Sequence, residues 1–313
     1  MAKKTNAAPV LKAPPKRKLV HPTIDRYADR IGYDPVNPYE YDFVIWKIRE
    51  FFRQLRFVNA YVQHRFSILS ACEDPDTIAQ LVYAGYAIPM RQTGQMDLEF
   101  ELLTRMKDCA GLYCETHSSR QEPDPEPGRH DLSFPMFEFE FPKTITGLVE
   151  TEMALLEYLG FGNRSTYHII SYAEAASRYG VTTLKSEHEA MLWQDFGPVV
   201  FLVNFPEHTS PFFNMKRDGD TANKVDVILY GIETIGSAER SIDPEDMRGR
   251  FHAISDGNYA KRLFGSFGKN RVTGELNDFL SLPFFPRCGG GIGITRMIRA
   301  LKLAGQLETE NSK

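Results

Sequence analysis

The sequence predicts an α+β fold, an antiparallel β-sheet flanked by helices, from three observations. Segments 198–204, 211–216, 224–230 and 232–240 read as strands in pairs joined by turns. Helical patterns are grouped along the chain instead of alternating one for one with strands. The glycine run "CGGGIGITR" (288–296) lacks the spacing of a dinucleotide fingerprint and opens no βαβ unit, which argues against a Rossmann arrangement.

Taken in order, "NPYEYDFVIWKIREFFRQLRF" (37–57) carries Phe43, Ile45, Trp46, Ile48, Phe51, Phe52 and Leu55 at near-helical spacing and reads as one long packed helix. "FVNAYVQ" then alternates like a strand. Residues 97–107 read as helix and 111–118 as strand. "RQEPDPEPGRH" (120–130), with three prolines and a glycine, is a loop. "SFPMFEFEFP" (133–142) alternates aromatic and acidic residues, the pattern of a strand with one wet face. Helices follow near 145–159, 171–178 and 185–193. After the strands named above comes a mostly polar helical region, then the glycine strand and a helix over 294–304.

Composition narrows the function classes. The 313 residues are 42% hydrophobic, enough for a sizeable core, yet no apolar run approaches a membrane span and no signal-peptide core opens the chain. Cys72, Cys109, Cys114 and Cys288 show no paired spacing, so reduced thiols and a cytoplasmic location are expected, without disulfides or a zinc site. The net charge is -4, but residues 1–20 hold six Lys and Arg and no acid, leaving about -10 on the remainder. The body is therefore no obvious polyanion-binding surface, and the basic tail is expected to be disordered.

Three cationic positions stand in contexts suited to phosphate: Arg120 at a strand end, Arg129 with His130 closing the loop, and Arg296 behind the glycines near a helix start. Guanidinium groups hold phosphate oxygens through paired, charge-assisted hydrogen bonds. Asp226 and Glu233, on neighbouring predicted strands, supply hard oxygen ligands for Mg²⁺ once phosphate oxygens join them. Taken singly, each of these residues reads as an ordinary solvated charge; their order along the chain is what carries information.

That order resembles the catalytic domain of class II aminoacyl-tRNA synthetases, the asparaginyl and aspartyl subfamily in particular, from about residue 90 to 304. "TGQMDLE" (93–99) is similar to the family's substrate-side segment. Arg120-Gln-Glu122 and "RHDLSF" (129–134) resemble its second motif. "SEHE" (186–189), "GPVVFLVNFP" (197–206) and "FFNMKRDGDTANKVDVI" (212–228) recur in similar form. "GIETIGSAER" (231–240) keeps the seven-residue interval from glutamate to arginine, and "GGGIGITR" (289–296) resembles the third motif.

The resemblance implies an amino-acid- and ATP-binding enzyme that forms an aminoacyl-adenylate with Mg²⁺. Phe134 would stack on adenine, with Arg296 on its other face and reaching the γ-phosphate. Gly291 and Gly293, within the bare stretch 289–293, would form the floor under adenosine. Arg120 would hold the α-phosphate, Glu122 help place adenine or the amino acid, and Arg129 and His130 grip the γ-phosphate. Asp226 and Glu233 would carry the metal, Glu233 thereby touching ATP. Arg240 would read the substrate side chain, Gln95 and Glu99 would lie near its α-amino end, and Ser237 would narrow the pocket. Arg120 and Arg296 are the expected catalytic residues.

Departures from the family pattern shape the expected reaction. The residues before "TGQMDLE" leave no room for an anticodon-reading barrel, so the division is a basic tail (1–20), a class II synthetase-like catalytic domain (21–305) and a polar C-terminal tail (306–313). Ser133 stands in the place of a glutamate that helps read the asparagine amide, and Thr295 in that of a glutamate before the last arginine. The proline of the first motif, which builds the family's homodimer interface, is not found in "FVNAYVQHRF". A barrel-less relative exists, the archaeal type of asparagine synthetase. The expectation is therefore ATP-dependent activation of aspartate followed by attack of ammonia. A truncated asparaginyl-tRNA synthetase, with tRNA or another macromolecule as acceptor, is the alternative; a non-catalytic nucleotide-binding module is the third reading.

Overall fold

The computed structural model describes residues 36–62, 67–70, 77–121 and 133–307. The basic tail and Cys72 lie outside the described residues; Cys109, Cys114 and Cys288 are free thiols.

Helix α1 (Pro38–Gln54) starts where Asn37 Oδ1 accepts the Tyr39 N–H at 2.9 Å, with Pro38 at the first helical position, where its missing N–H costs nothing. Its apolar stripe is Val44, Ile45, Ile48, Phe51 and Phe52, while Phe43, Trp46 and Leu55 of the predicted stripe face outward. Next come β1 (Val58–Asn59), a hairpin of β2 (Gln80–Tyr83) and β3 (Tyr86–Pro89), α2 (Gln95–Thr104), β4 (Leu112–Ser119), β5 (Ser133–Phe141) and α3 (Ile145–Tyr158). The middle of the chain forms β6 (His168–Ser171), α4 (Tyr172–Tyr179), α5 (Ser186–Phe196), β7 (Val199–Pro206), β8 (Arg217–Asp218), β9 (Thr221–Leu229) and β10 (Ile232–Glu239). Helices α6 (Pro244–Ala253), α7 (Asn258–Phe267) and α8 (Lys269–Leu280) precede β11 (Cys288–Gly293) and α9 (Ile294–Leu303).

The main sheet runs β1-β4-β5-β11-β10-β9-β7-β6, with β8 on β9. Its interior pairings are antiparallel, as expected; the edge pairs β1–β4 and β6–β7 are parallel. Residues 211–216 are not the expected strand. They form a turn that carries the Met215–Arg240 bridge and backbone hydrogen bonds of Lys216 to Glu239 and Asn223, while the Phe213 and Met215 side chains pack into the helical cluster beside Phe251 and Tyr259. The β2–β3 hairpin was not anticipated.

Period two in β5 sorts its side chains. Phe137, Phe139 and Phe141 enter the core beneath α1, α3 and α9, packed with Val225, Val227, Ile235 and Ile292. Each fully buried Phe contributes about 1.5–3 kcal/mol relative to exposure. Glu138 and Glu140 point to the other face, which the sequence predicted to be wet. It is dry: the two acids are 1% and 0% exposed, because α2 and the α6–α8 group cover that side. Each acid is instead satisfied by protein donors.

One acid lies in the opposite layer. Glu152 of α3 is buried beneath β10, and burial pushes its carboxyl up to about 8, the Ser237 hydroxyl opposing the shift. The folded chain therefore keeps a proton that the unfolded chain releases from about pH 4.5 upward. Its stabilising contribution is complete below that value and is lost as pH rises through 8. The thermal midpoint is expected to fall between pH 5 and 9, with a flatter profile for Glu152→Gln; parallel profiles for the two proteins would refute this protonation.

Candidate active site

At the centre of the sheet, β11 lies between β5 and β10 with glycine at four of its six positions. Gly289 pairs with Glu140, Gly291 with Glu138 and Gly293 with Met136, so these three share the covered face with the acids of β5. A Cβ on Gly289 would collide with the Glu140 carboxylate, and one on Gly291 would stand 2.8 Å from Met136 Cε. The first glycine therefore admits a buried acid; the second keeps a cavity floor clear.

Above that floor opens a cavity lined by Gln95, Arg120, Phe134, Glu138, Lys224, Glu233, Ser237, Arg240, Gly291, Gly293 and Arg296, among others. Arg120 bridges to Ile78 at the end of β4, and its guanidinium carbon lies 5.6 Å from the Phe134 ring centroid. Arg296, in the first turn of α9, donates from Nη1 to the Glu233 carbonyl at 2.7 Å and lies 3.6 Å from that residue's carboxylate. Ser237 is paired with Val225 of the core and donates to its carbonyl at 3.3 Å. It therefore sits on the wall with its side chain directed to the α3 layer.

Behind the cavity is a buried charge network. Arg240, 2% exposed, donates to both Glu140 oxygens at 3.2 and 3.1 Å and to the Gly289 carbonyl at 3.1 Å. With the Gln95 amide turned so that its oxygen faces the donors, it accepts from Arg240 Nη2 at 2.7 Å and from the Gly290 N–H at 3.2 Å. Burial works against the Arg240 charge, but Glu140 and Glu99 outweigh it and hold its pKa above the usual arginine value. Burial likewise pushes the Glu140 carboxyl up, against the pull of Arg240. Glu138 accepts from the Gly94 N–H at 2.7 Å and from the Thr93 and Thr116 hydroxyls, and burial raises its pKa too.

Glu99, expected near the substrate's α-amino end, does not line the cavity. It is fully buried, accepting from Arg287 Nε at 2.9 Å and Nη2 at 2.5 Å and from Asn214 Nδ2 at 2.6 Å. An arginine with 0% exposure requires a matching carboxylate, and Glu99 is the one within reach. Reading the sequence missed Glu138, Glu140, Arg287 and Lys224. The "FEFEF" alternation signalled the first two; Arg287 and Lys224 had no local signal. Glu122, Arg129 and His130 lie outside the described residues.

The predicted metal-binding carboxylates come close together. Cross-strand pairing puts Asp226 opposite Gly236, and a bulge between Glu233 and Ile235 turns Glu233 to the same face. A Cβ on Gly236 would lie 2.9 Å from Glu233 Oε1 and 3.7 Å from Asp226 Oδ1, so the glycine leaves a cradle between the two acids. Glu233 lines the cavity, whereas Asp226 sits behind, 3.2 Å from the Lys224 ammonium. Among the described residues no group of three or more His, Cys, Asp or Glu could hold a metal ion. Two hard carboxylates over a bare glycine fit a divalent ion whose remaining ligands come from phosphate oxygens and water. No helix among the described residues is long and apolar enough to cross a membrane.

The cavity and the charge network behind it belong to one α+β sheet domain, and comparison with known proteins gives its family. The profile of tRNA synthetases class II (D, K and N) matches residues 134–307, and the chain belongs to that family. A stretch of 116 residues is 30% identical to the aspartate–tRNA(Asp) ligase of Pyrobaculum aerophilum, covering 37% of this chain and 24% of that protein. In fold, the chain is similar to asparaginyl-tRNA synthetase from Pyrococcus horikoshii complexed with asparaginyl-adenylate, with TM-score 0.68, 20% identity, and 85% and 65% of the two chains covered. It is also similar to the Entamoeba histolytica asparaginyl-tRNA synthetase in complex with asparaginyl-adenylate, with TM-score 0.63, 16% identity and 86% and 63% coverage. The chain thus spans less than two thirds of the length of these relatives. All three are named as tRNA ligases, which favours the tRNA-charging alternative over the expected asparagine-synthetase reaction.

Removing one member of a buried ion pair leaves the other uncompensated. Glu99→Ala is expected to lower unfolding free energy by about 3–5 kcal/mol, measured by urea denaturation. The paired change Glu99→Leu with Arg287→Met should recover much of that loss; a double variant as unstable as the single would show that packing, not charge pairing, sets the effect.

Proposed function

We propose that this chain is the adenylating core of an asparaginyl-type synthetase, binding ATP and an amino acid of the asparagine class and forming the aminoacyl-adenylate. The observation that carries it is the cavity itself: a glycine floor with Phe134 and Arg120 on one flank and Arg296 on the other, beside Glu233. A flat, charged ligand fits that combination better than any apolar one. A decayed nucleotide module would have no reason to keep arginines on both flanks.

In the proposed reaction the substrate carboxylate attacks the α-phosphorus, a new P–O bond forms, and the bond to the bridging oxygen of the β-phosphate breaks as pyrophosphate leaves. The protein supplies no nucleophile. Phe134 and the Gly291–Gly293 floor hold adenosine, and Arg120 neutralises the charge that develops at the α-phosphate. Arg296, fixed by the Glu233 carbonyl, holds the far phosphates. Alignment of the two reactants accounts for about 7–11 kcal/mol at the limit. A Mg²⁺ ion held by Asp226 and Glu233 would supply further charge neutralisation at the phosphates. For Glu122 the family resemblance implies a role in placing adenine or the amino acid, and for Arg129 and His130 a grip on the γ-phosphate.

The substrate side chain is proposed to meet Arg240 and Gln95. Arg240 is already matched by Glu140, and Arg287 by Glu99, so neither buried arginine lacks a carboxylate. An amide oxygen adds no charge there, whereas a carboxylate would add one without a new cation. This favours asparagine over aspartate. The names of the relatives favour tRNA as acceptor over ammonia; the free thiols support a cytoplasmic location, and a homodimer is the assembly the family resemblance implies.

Amino-acid-dependent exchange of pyrophosphate into ATP tests the reading. Exchange with asparagine exceeding that with aspartate is expected, and no exchange with either would remove the adenylation proposal. Adenylate consumption should accelerate with bulk tRNA and not with ammonia; the reverse would restore the amide-forming expectation. Arg120→Ala should reduce exchange by roughly 10²–10³ with an unchanged circular dichroism spectrum. Retained exchange would take Arg120 out of the α-phosphate role.

A further inference from the structure

The "SEHE" stretch (186–189) has no part in the proposed reaction, yet its last residue reaches the edge of the site. Glu189 stands in the first turn of α5, partly buried, and its Oε2 accepts the backbone N–H of Glu233 at 2.8 Å. β11 pairs with β10 from Ile235 onward, so Glu233 lies beyond the end of the glycine strand, where side chains meet its main-chain groups. Its carbonyl accepts from Arg296 Nη1 at 2.7 Å. The N–H and the C=O of one cavity residue are thus held from two different helices, α5 and α9. The turn before Glu233 rests on the same two. Tyr230 and Gly231 join β9 to β10 at φ of 47° and 77°. A Cβ on Gly231 would stand 3.0 Å from Ala190 Cα of α5, and the Tyr230 ring meets Trp193 edge-on at 5.5 Å. Arg299 of α9 donates to the Tyr230 carbonyl at 3.2 Å.

We propose that Glu189 is a positioning residue for Glu233. By accepting the Glu233 N–H it fixes the bulge that follows, and through it the direction in which Glu233 presents its carboxylate to the cavity and its carbonyl to Arg296. The inference rests on the adenylation reading above, in which Glu233 carries the metal. Glu189 does not itself line the cavity, so it acts through Glu233 and not on a substrate. The bulge between Glu233 and Ile235 aims the Glu233 side chain toward Asp226. A bulge interrupts the ladder, so its shape depends on the acceptors given to the main-chain groups it releases. What that N–H needs is an oxygen, and a carboxylate or an amide supplies one. A side chain without oxygen frees the bulge to turn. The consequence falls on the metal-binding end alone, because Arg240, with Glu140 and Gln95, lies past the opposite end of β10.

Calorimetric titration of the full chain with ATP, once in excess EDTA and once in saturating Mg²⁺, measures the gain in affinity that the metal brings. Glu189→Ala is expected to shrink that gain about tenfold, the scale of one hydrogen bond to a charged group. In pyrophosphate exchange the same variant should raise KM for ATP and leave KM for asparagine unchanged. Glu189→Gln, which keeps an acceptor oxygen, should hold the gain to within about threefold of the wild type. Glu189→Met, also without oxygen, replaces the alanine variant if that one does not fold by circular dichroism. A Glu189 that served only to dock α5 would lower the melting temperature of these variants and leave the metal gain as in the wild type. That result, or a folded glutamine variant as impaired as the alanine one, would overturn the positioning role while leaving ATP binding intact. A wild type whose ATP affinity Mg²⁺ does not raise would overturn it as well. A wild type that binds ATP in neither buffer would remove the nucleotide reading and this inference together.

Discussion

The rest of the site depends on a strand with almost no side chains at the middle of the sheet. Between β5 and β10, β11 must present glycine on its covered face for two separate reasons. At Gly289 a buried carboxylate occupies the space a Cβ would need, and at Gly291 the cavity floor must stay open. The candidate site is arranged around that bare surface: Phe134 and Glu138 from one neighbouring strand, Glu233 from the other with Arg240 just past its end, and Arg296 from the helix that follows β11 directly. Glycine in a strand sacrifices packing, and the flanking core offsets that loss through Phe137, Phe139, Ile235 and Ile292 on the reverse face.

The second constraint is electrostatic. The cavity's back wall buries two arginines and three glutamates, each a costly group to remove from water. They are tolerated because Arg240 meets Glu140, Arg287 meets Glu99, and Glu138 accepts from one backbone and two hydroxyl donors. Such a network is intolerant of partial change, which gives the proposed amino-acid end of the site a defined shape before any ligand arrives. The proposed phosphate end is different in kind. There the groups come from separate elements and are of mixed sign, with Asp226 buried and Glu233 and Arg296 partly exposed.

Much of this was legible in the sequence. The alternation of "SFPMFEFEFP" marked β5, and the spacing of Ile45, Ile48 and Phe52 marked α1. Arg120, Glu233, the glycines and Arg296 stood out by residue type and position, Phe134 and Arg240 were implied by the family resemblance, and the structure brings them to one cavity. The failures have physical causes. Residues 211–216 alternate like a strand, yet Phe213 and Met215 are held by helical neighbours remote in sequence. Glu138 and Glu140 looked solvated because acids on one face of a strand usually are; only the covering helices make that face dry.

By itself the sequence determined most of the elements and which residues have the chemistry for a nucleotide, because periodicity, glycine content and residue type are local properties. Tertiary structure alone decided which charges are already spent on each other. Glu99 was diverted to Arg287, 188 positions away, and Asp226 turned to Lys224 instead of the open cavity. Ion-pair partnership is a matter of distance in space and of exclusion from water, and neither is written in the order of the residues.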